Sequence, residues 1–180
     1  MKSWSTHREA NRKSLTIVGL LFAFSAISYF DRTIISIAGP SMMRDFHLSP
    51  TEMGAIYSAF IFGYALLMIP GGQFTDRVGP RRTLAVMGWS SAVFTALTIL
   101  GGAQAISAYV GIVPLLVAIR FGMGAGTAPL YPACAKATAN WIPRVYHARV
   151  QGLIIAGSAA GAALSPFAEI ARCPQTFVET

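Results

Sequence analysis

Three ionisable side chains sit where a chain this apolar has little reason to carry charge. Asp31 and Arg32 interrupt the apolar stretch from Leu15 to Gly39, and Arg120 stands mid-way through another from about Tyr109 to Ala135. A charge at the centre of a bilayer costs at least about 2.5–3.5 kcal/mol on insertion scales, so such residues normally face a bundle interior or a wet cavity. Two readings follow. In the first, Asp31 pairs with Arg32 or Arg120 and the pair holds helices together. In the second, two arginines against one aspartate leave a positive charge that an anionic ligand completes. The planar guanidinium fork suits a carboxylate, and Asp31 is then a protonatable group beside it. The imbalance of charge favours the second.

Aromatic hydroxyls accompany these charges at helical spacing. Tyr57 and Tyr64 are seven residues apart and share a face, and Arg120, Thr127 and Tyr131 at i, i+7 and i+11 share another. Tyr29 lies one turn before Arg32. A tyrosine in a span often serves only packing or interface anchoring, so the two stripes mark a candidate site without defining it. Nothing else in the chain suggests catalysis. There is no HExxH, no Ser-His-Asp arrangement and no metal-ligand cluster, and His7, His47 and His147 fall in terminal or loop segments. Cys134 and Cys173 have neither metal-ligand spacing nor the density of a disulfide framework. No cofactor is expected.

The elements that must position these residues are membrane spans. The 180 residues are 54% hydrophobic and 12% charged, about half the roughly 25% charged content of soluble domains, with a mean hydropathy of +0.54. The expected fold class is all-α, a polytopic transmembrane helix bundle of about five helices. Span 1 covers about Leu15 to Ala38 and is expected to end at Pro40. Span 2 covers about Met53 to Gly71, started by Ser49 as N-cap, Pro50 at the first helical position and Glu52 at the third. Thr83 to Ile119 holds 37 residues without a charge, more than the roughly 20 that one span needs. A break between Gly101 and Ser107 therefore divides span 3 (about Thr83 to Gly101) from span 4 (about Tyr109 to Ala135). A polar loop from Asn140 to Arg149 precedes span 5 (Val150 to about Ala168). In domain terms, 1–14 is a cytoplasmic segment, 15–168 the helical domain and 169–180 an irregular tail. Two small-x-x-x-small pairs, Gly122/Gly126 and Gly157/Gly161, read as close helix packing.

Between spans 2 and 3 lies a short polar gap, Gly72-Gln73-Phe74-Thr75-Asp76-Arg77-Val78-Gly79-Pro80-Arg81-Arg82. Ten of the 14 basic residues fall in the N-terminal segment, this gap and the region from Lys136 to Arg149, and only Arg44 and Arg172 on the other side. The positive-inside rule then makes the N-terminus cytoplasmic. It also accounts for the net charge of +7 without nucleic acid, because the basic residues form no continuous patch.

With these residues in hand, the chain resembles the N-terminal half of a major facilitator superfamily transporter. The gap matches that family's helix 2–3 loop, G-x-[LF]-x-D-R-x-G-x-R-R, at Gly72, Phe74, Asp76, Arg77, Gly79, Arg81 and Arg82, with Pro80 where a basic residue is common. Arg120-Phe121-Gly122-Met123-Gly124-Ala125-Gly126 matches its R-x-x-x-G-x-G. A narrower resemblance is to the anion:cation symporter branch, through Tyr29-Phe30-Asp31-Arg32-Thr33-Ile34-Ile35-Ser36-Ile37-Ala38 against [YF]-x-D-R-x-x-x-[SA]-x-A. This resemblance covers roughly residues 15 to 168. It implies a plasma- or inner-membrane permease that carries a small organic anion with a proton by alternating access, the anion lying between two six-helix halves.

By the same resemblance Arg32, Tyr64 and Arg120 contact the anion, Tyr29 lies nearby and Asp31 couples to protons. Where the branch often has Glu-Ala-Pro, this chain has Thr127-Ala128-Pro129, and threonine does not titrate. The Gly72–Arg82 motif is expected to be a conformational latch that helps hold the two halves closed on the cytoplasmic side. Asp76 would sit near a helix N-terminus, where a negative charge is favoured by roughly 0.3–1 kcal/mol, and the arginines would bridge helix ends. Helix 6 and a C-terminal half have no counterpart here, so a truncated or split product that does not transport by itself is expected. The alternative is a stand-alone five-span protein acting as a scaffold or homo-oligomeric channel.

Overall fold

A computed structural model describes residues 3–101 and 111–172, with side chains over 14–98 and 111–167. The described residues are helical with no strand: α1 (Ser3–Asp45), α2 (Pro50–Val78), α3 (Pro80–Gly101), α4 (Ile112–Thr127), α5 (Leu130–Trp141), a 3₁₀ turn at Arg144–Tyr146, and α6 (His147–Arg172). Four stretches are long and apolar enough to cross a bilayer: Ser14–Asp45, Pro50–Val78, Ile112–Trp141 and Arg144–Phe167. The 22-residue α3 is the fifth member of the bundle. Large apolar side chains such as Ile69, Trp89, Leu153 and Phe167 point outward. Water would penalise that surface, and lipid tails accept it. The all-α polytopic bundle is therefore the fold.

Local signals explain where the helices start and stop. Pro40 does not end the first helix as expected; it lies inside α1, which runs on to Asp45. A proline removes one backbone hydrogen bond, which a packed membrane helix tolerates. The stop is made further on, where His47 adopts φ 52° and the Leu48 amide donates to the Met43 carbonyl at 3.0 Å, a Schellman-type closure. Ser49 then caps α2 as its sequence implies: its hydroxyl accepts from the Glu52 amide (3.3 Å) and its own amide donates to the Glu52 carboxylate (2.8 Å). Leu48 and Met53 flank this box and share one buried cluster with Ile56 and Leu116, a hydrophobic staple.

The polar gap is also shorter than expected. Gly72 to Val78 continue α2 and Pro80 begins α3, so the connection is Gly79 alone. Its φ of 90° and ψ of 154° fall in a region that only glycine enters cheaply. Its neighbours are ordinary helix residues, and that is why the charges ride on helix ends instead of a loop. Span 4 is α4 plus α5, bent at Ala128–Pro129 and extending past Ala135 to Trp141. The polar loop shrinks to Ile142–Tyr146, and α6 includes Glu169–Arg172, which were expected in the tail. The Gly102–Ser107 break, Tyr109, Lys2 and the Cys173–Thr180 tail lie outside the described residues.

Packing joins α1 chiefly to α6, α2 to α4, and α3 to α4 and α5. Glycines set these approaches. A methyl group on Gly161 would meet the Ala26 carbonyl of α1, and one on Gly157 the Phe22 carbonyl at 2.7 Å. In α4, Gly124 faces the Phe60 carbonyl of α2 while Gly126 faces Ser90 of α3. Two residues apart on a helix is about 200° of rotation, so the R-x-x-x-G-x-G run wedges α4 between two neighbours. The packing reading of both glycine pairs holds.

Candidate anion site

Consecutive helical residues point about 100° apart, and Asp31 and Arg32 accordingly leave α1 toward different neighbours. Arg32 faces α2. Its guanidinium carbon lies 4.9 Å from the Phe60 ring centroid, 5.5 Å from Tyr29 and 5.7 Å from Tyr64. Phe60 stacks on Tyr64 with centroids 6.4 Å apart. Each such cation–π contact contributes about 0.5–2 kcal/mol depending on desolvation, enough to hold the charge without consuming its N–H donors. Among the described residues no acceptor is hydrogen-bonded to the Arg32 guanidinium, which is left free to fork onto a carboxylate.

Asp31 instead faces α3. It accepts a hydrogen bond from Ser91 Oγ at 3.2 Å and lines a cleft of about 210 Å³ with Phe24, Ile27, Ser28, Met87 and Gly88. Arg120 is 5% exposed. One of its terminal nitrogens points at Met123 Sδ (3.7 Å) and its Nε has no partner. It lies within electrostatic reach of Asp31 and Tyr57 but forms no close ion pair with Asp31. Lys136–Asp76, at 2.9 Å, is the only ion pair among the described residues. The helix-clamping pair that the sequence left open is therefore not formed.

The expected residues thus divide. Tyr29, Arg32 and Tyr64 come together, Asp31 lies round the helix from them, and Arg120 is buried on α4. Tyr57, on the same face of α2 as Tyr64, donates to the Ile35 carbonyl of α1 at 3.3 Å. Thr127 does not share Tyr131's environment. Its hydroxyl turns back onto the Met123 and Gly124 carbonyls (2.9 and 3.2 Å), and the Ala128–Pro129 bend intervenes. Gly72, Asp76 and Arg77 lie in the last turns of α2, Gly79 in the connection and Arg81 and Arg82 in the first turn of α3, with Asp76 about 18 Å along the axis from Tyr64 at 1.5 Å per residue. There Lys136 donates to both the carboxylate and the carbonyl of Asp76 (2.9 and 2.8 Å), tying the α2 end to α5.

Sequence reasoning missed Phe60, Lys136 and a serine pair, Ser25 and Ser158. Tyr131 Oη donates to Tyr29 Oη at 3.0 Å and lies 3.1 Å from Ser158 Oγ, which is 2.6 Å from Ser25 Oγ. Hydroxyls buried among apolar spans were the available signal, and there are too many of them to single these out.

A bundle of bilayer-length helices that holds one buried arginine, Arg120, and one half-buried, Arg32, defines a polytopic membrane protein. A profile of the Major Facilitator Superfamily matches residues 21–171. The hexuronate transporter of Bacillus subtilis (strain 168) is 37% identical over 158 residues, 86% of this chain and 35% of that protein. The D-galactonate transporter of Escherichia coli O6:H1 (strain CFT073) is 32% identical over 158 residues, 87% and 34% of the two chains. The protein named probable galactarate/D-glucarate transporter GudP of Escherichia coli (strain K12) is 38% identical over 127 residues, 71% and 28%. The chain belongs to the Major Facilitator Superfamily, and these relatives are of its anion:cation symporter type. It spans about a third of the length of the curated relatives it matches.

Proposed function

We propose that this chain forms one wall of the anion site in a transporter that carries a sugar acid or similar small carboxylate together with a proton, by alternating access across the cell membrane. The single observation that carries this reading is Arg32, held by three aromatic rings with its donors unengaged. The names of the relatives support a sugar acid as cargo. The opposing wall belongs to a second helical half, and the Gly72–Arg82 motif, braced by Lys136, is the latch that meets it on the cytoplasmic side.

Proton coupling follows from charge. Asp31, facing Ser91 on α3 and within the field of Arg120 on α4, offsets part of the positive charge of Arg32 and Arg120 while ionised. Protonation removes that offset, so anion affinity rises as pH falls, and anion binding reciprocally favours proton uptake. Equilibrium dialysis of radiolabelled glucuronate against the purified chain in nanodiscs, at about pH 5.5 and about pH 7.5, tests this. Binding is expected to be saturable and several-fold tighter at the lower pH. Asp31→Asn is expected to bind equally at both, at the low-pH affinity. No saturable binding, or a wild-type affinity indifferent to pH, would refute the reading.

A further inference from the structure

The side of α1 that carries Asp31 has a chemistry of its own. Phe24, Ser28 and Asp31 recur at i, i+4 and i+7 and so share one face of α1. On α3, Met87 with Ser91 and Gly88 with Ala92 are each one turn apart. These two faces, with Ile27, enclose the cleft of about 210 Å³. Its polar side chains are three: Asp31, Ser91, whose hydroxyl donates to the Asp31 carboxylate at 3.2 Å, and Ser28. The other side chains of the wall are apolar. Arg120 acts on Asp31 only through its field, and among the described residues no cation is paired with that carboxylate.

A carboxylate in such a setting calls for a cation, and the walls decide which kind. Calcium takes six to eight oxygens and magnesium a near-octahedral shell, more than three side chains supply. No cluster of His, Cys, Asp and Glu among the described residues could hold a metal either. A primary ammonium has three N–H donors. Asp31, Ser28 and Ser91 supply an acceptor for each, because Ser91 spends its hydrogen on Asp31 and keeps its lone pairs. Phe24, Met87 and Ala92 suit an apolar body. The cleft is smaller than the roughly 300–1,000 Å³ of drug-sized pockets, so that body is about one ring in size. The mouth opens sideways, where Ile27 is 63% exposed and Ala92 is exposed beside it. A lipophilic amine dissolved in the bilayer reaches it from there.

We propose that the α1–α3 cleft is a binding site for a small lipophilic primary ammonium ion, with Asp31 as counter-ion and Ser28 and Ser91 as its further acceptors. This site lies round α1 from the aromatic box of Arg32. One consequence rests on the anion-site reading above. A cation seated on Asp31 cancels the same negative charge that a proton would. It should therefore raise anion affinity, and the anion should raise ammonium affinity by the same factor.

The test is equilibrium dialysis of radiolabelled cyclohexylamine against the purified chain in nanodiscs at about pH 7.5, where the amine is charged. Empty nanodiscs measure its partition into lipid. Saturable binding above that background is expected. Asp31→Asn should weaken it at least about tenfold, the size of a lost charge-assisted hydrogen bond. Trimethylcyclohexylammonium keeps the charge without any N–H and should bind weaker by a similar factor. Gly88→Leu should abolish binding by filling the cleft, since a Cβ at Gly88 lies 3.6 Å from the Phe24 ring, at ordinary contact distance. Ala92→Leu repeats the block at the exposed mouth, and thermal unfolding checks that both variants fold. No saturable binding overturns the proposal, as does binding indifferent to Asp31→Asn, equal for the trimethylated probe, or retained in the folded leucine variants. Glucuronate affinity, measured with cyclohexylamine at saturation, is expected to rise several-fold. If the amine binds and glucuronate affinity does not move, the ammonium site stands and the anion-site reading of Asp31 fails.

Discussion

Gly161→Leu is expected to separate α6 from α1 and to unfold the bundle at a far lower denaturant concentration, by about 3 kcal/mol or more. Even the first added carbon would meet the Ala26 carbonyl, and backbone cannot step aside as a flexible side chain does. Overpacking typically costs about 1–3 kcal/mol per site. Here the leucine would also move Ser158, one turn earlier on α6, away from Ser25. Helix propensity argues the opposite, since glycine is roughly 1 kcal/mol worse than alanine in a helix interior. The contrast is testable within the same chain. Gly19 has no atom within 4 Å of an added Cβ, so Gly19→Ala should leave stability unchanged or raise it slightly. Equilibrium unfolding in mixed micelles compares them, and equal tolerance at both positions would contradict the packing described.

Arg120→Met should make the protein more stable and useless as an anion binder. Arg120 is 5% exposed, its Nε is orphaned and, among the described residues, its one hydrogen-bond contact is a methionine sulfur. A buried charge in that condition is held at a cost, and replacing buried ionic groups by apolar ones of similar volume often stabilises by about 1–4 kcal/mol. A structural arginine would behave in the reverse way, losing stability on replacement. Thermal unfolding and glucuronate binding measured on the same sample separate the cases. Loss of stability together with retained binding would assign Arg120 to the scaffold.

The outline of this molecule could be read from its residues because membrane sequences carry few competing signals. Charge-free runs, one capping box and the basic residues at helix ends placed the starts of α2, α3, α4 and α6 within about three positions, whereas α1, α2 and α5 run on six or seven residues past their expected ends. Positions along a helix were legible; directions around it were not. Asp31 and Arg32 looked like one unit because they are adjacent, yet a 100° step sends one to α3 and the other to α2, and which helix stands on each side is a tertiary fact. Phe60 was invisible for the same reason, since a phenylalanine in an apolar span has no mark until Arg32 is seen over its ring. Pro40 and the Gly72–Arg82 motif misled in the other direction. Both carry breaker or loop chemistry, but only Gly79, with its positive φ, takes a conformation that helices exclude. Ser25 and Ser158 are 133 residues apart, and nothing local to either announces the other.

If Arg32 grips a carboxylate from within its aromatic box, Arg32→Lys should loosen that grip. Lysine keeps the charge but loses both the flat face that stacks on Tyr29, Phe60 and Tyr64 and the two-pronged donor geometry. Isothermal titration of glucuronate into nanodiscs bearing each form is the measurement. Affinity is expected to fall at least about tenfold in Arg32→Lys while the fold, judged by thermal unfolding, is kept. Equal affinity in the two forms would show that Arg32 supplies charge alone or does not meet the ligand, and would contradict the account.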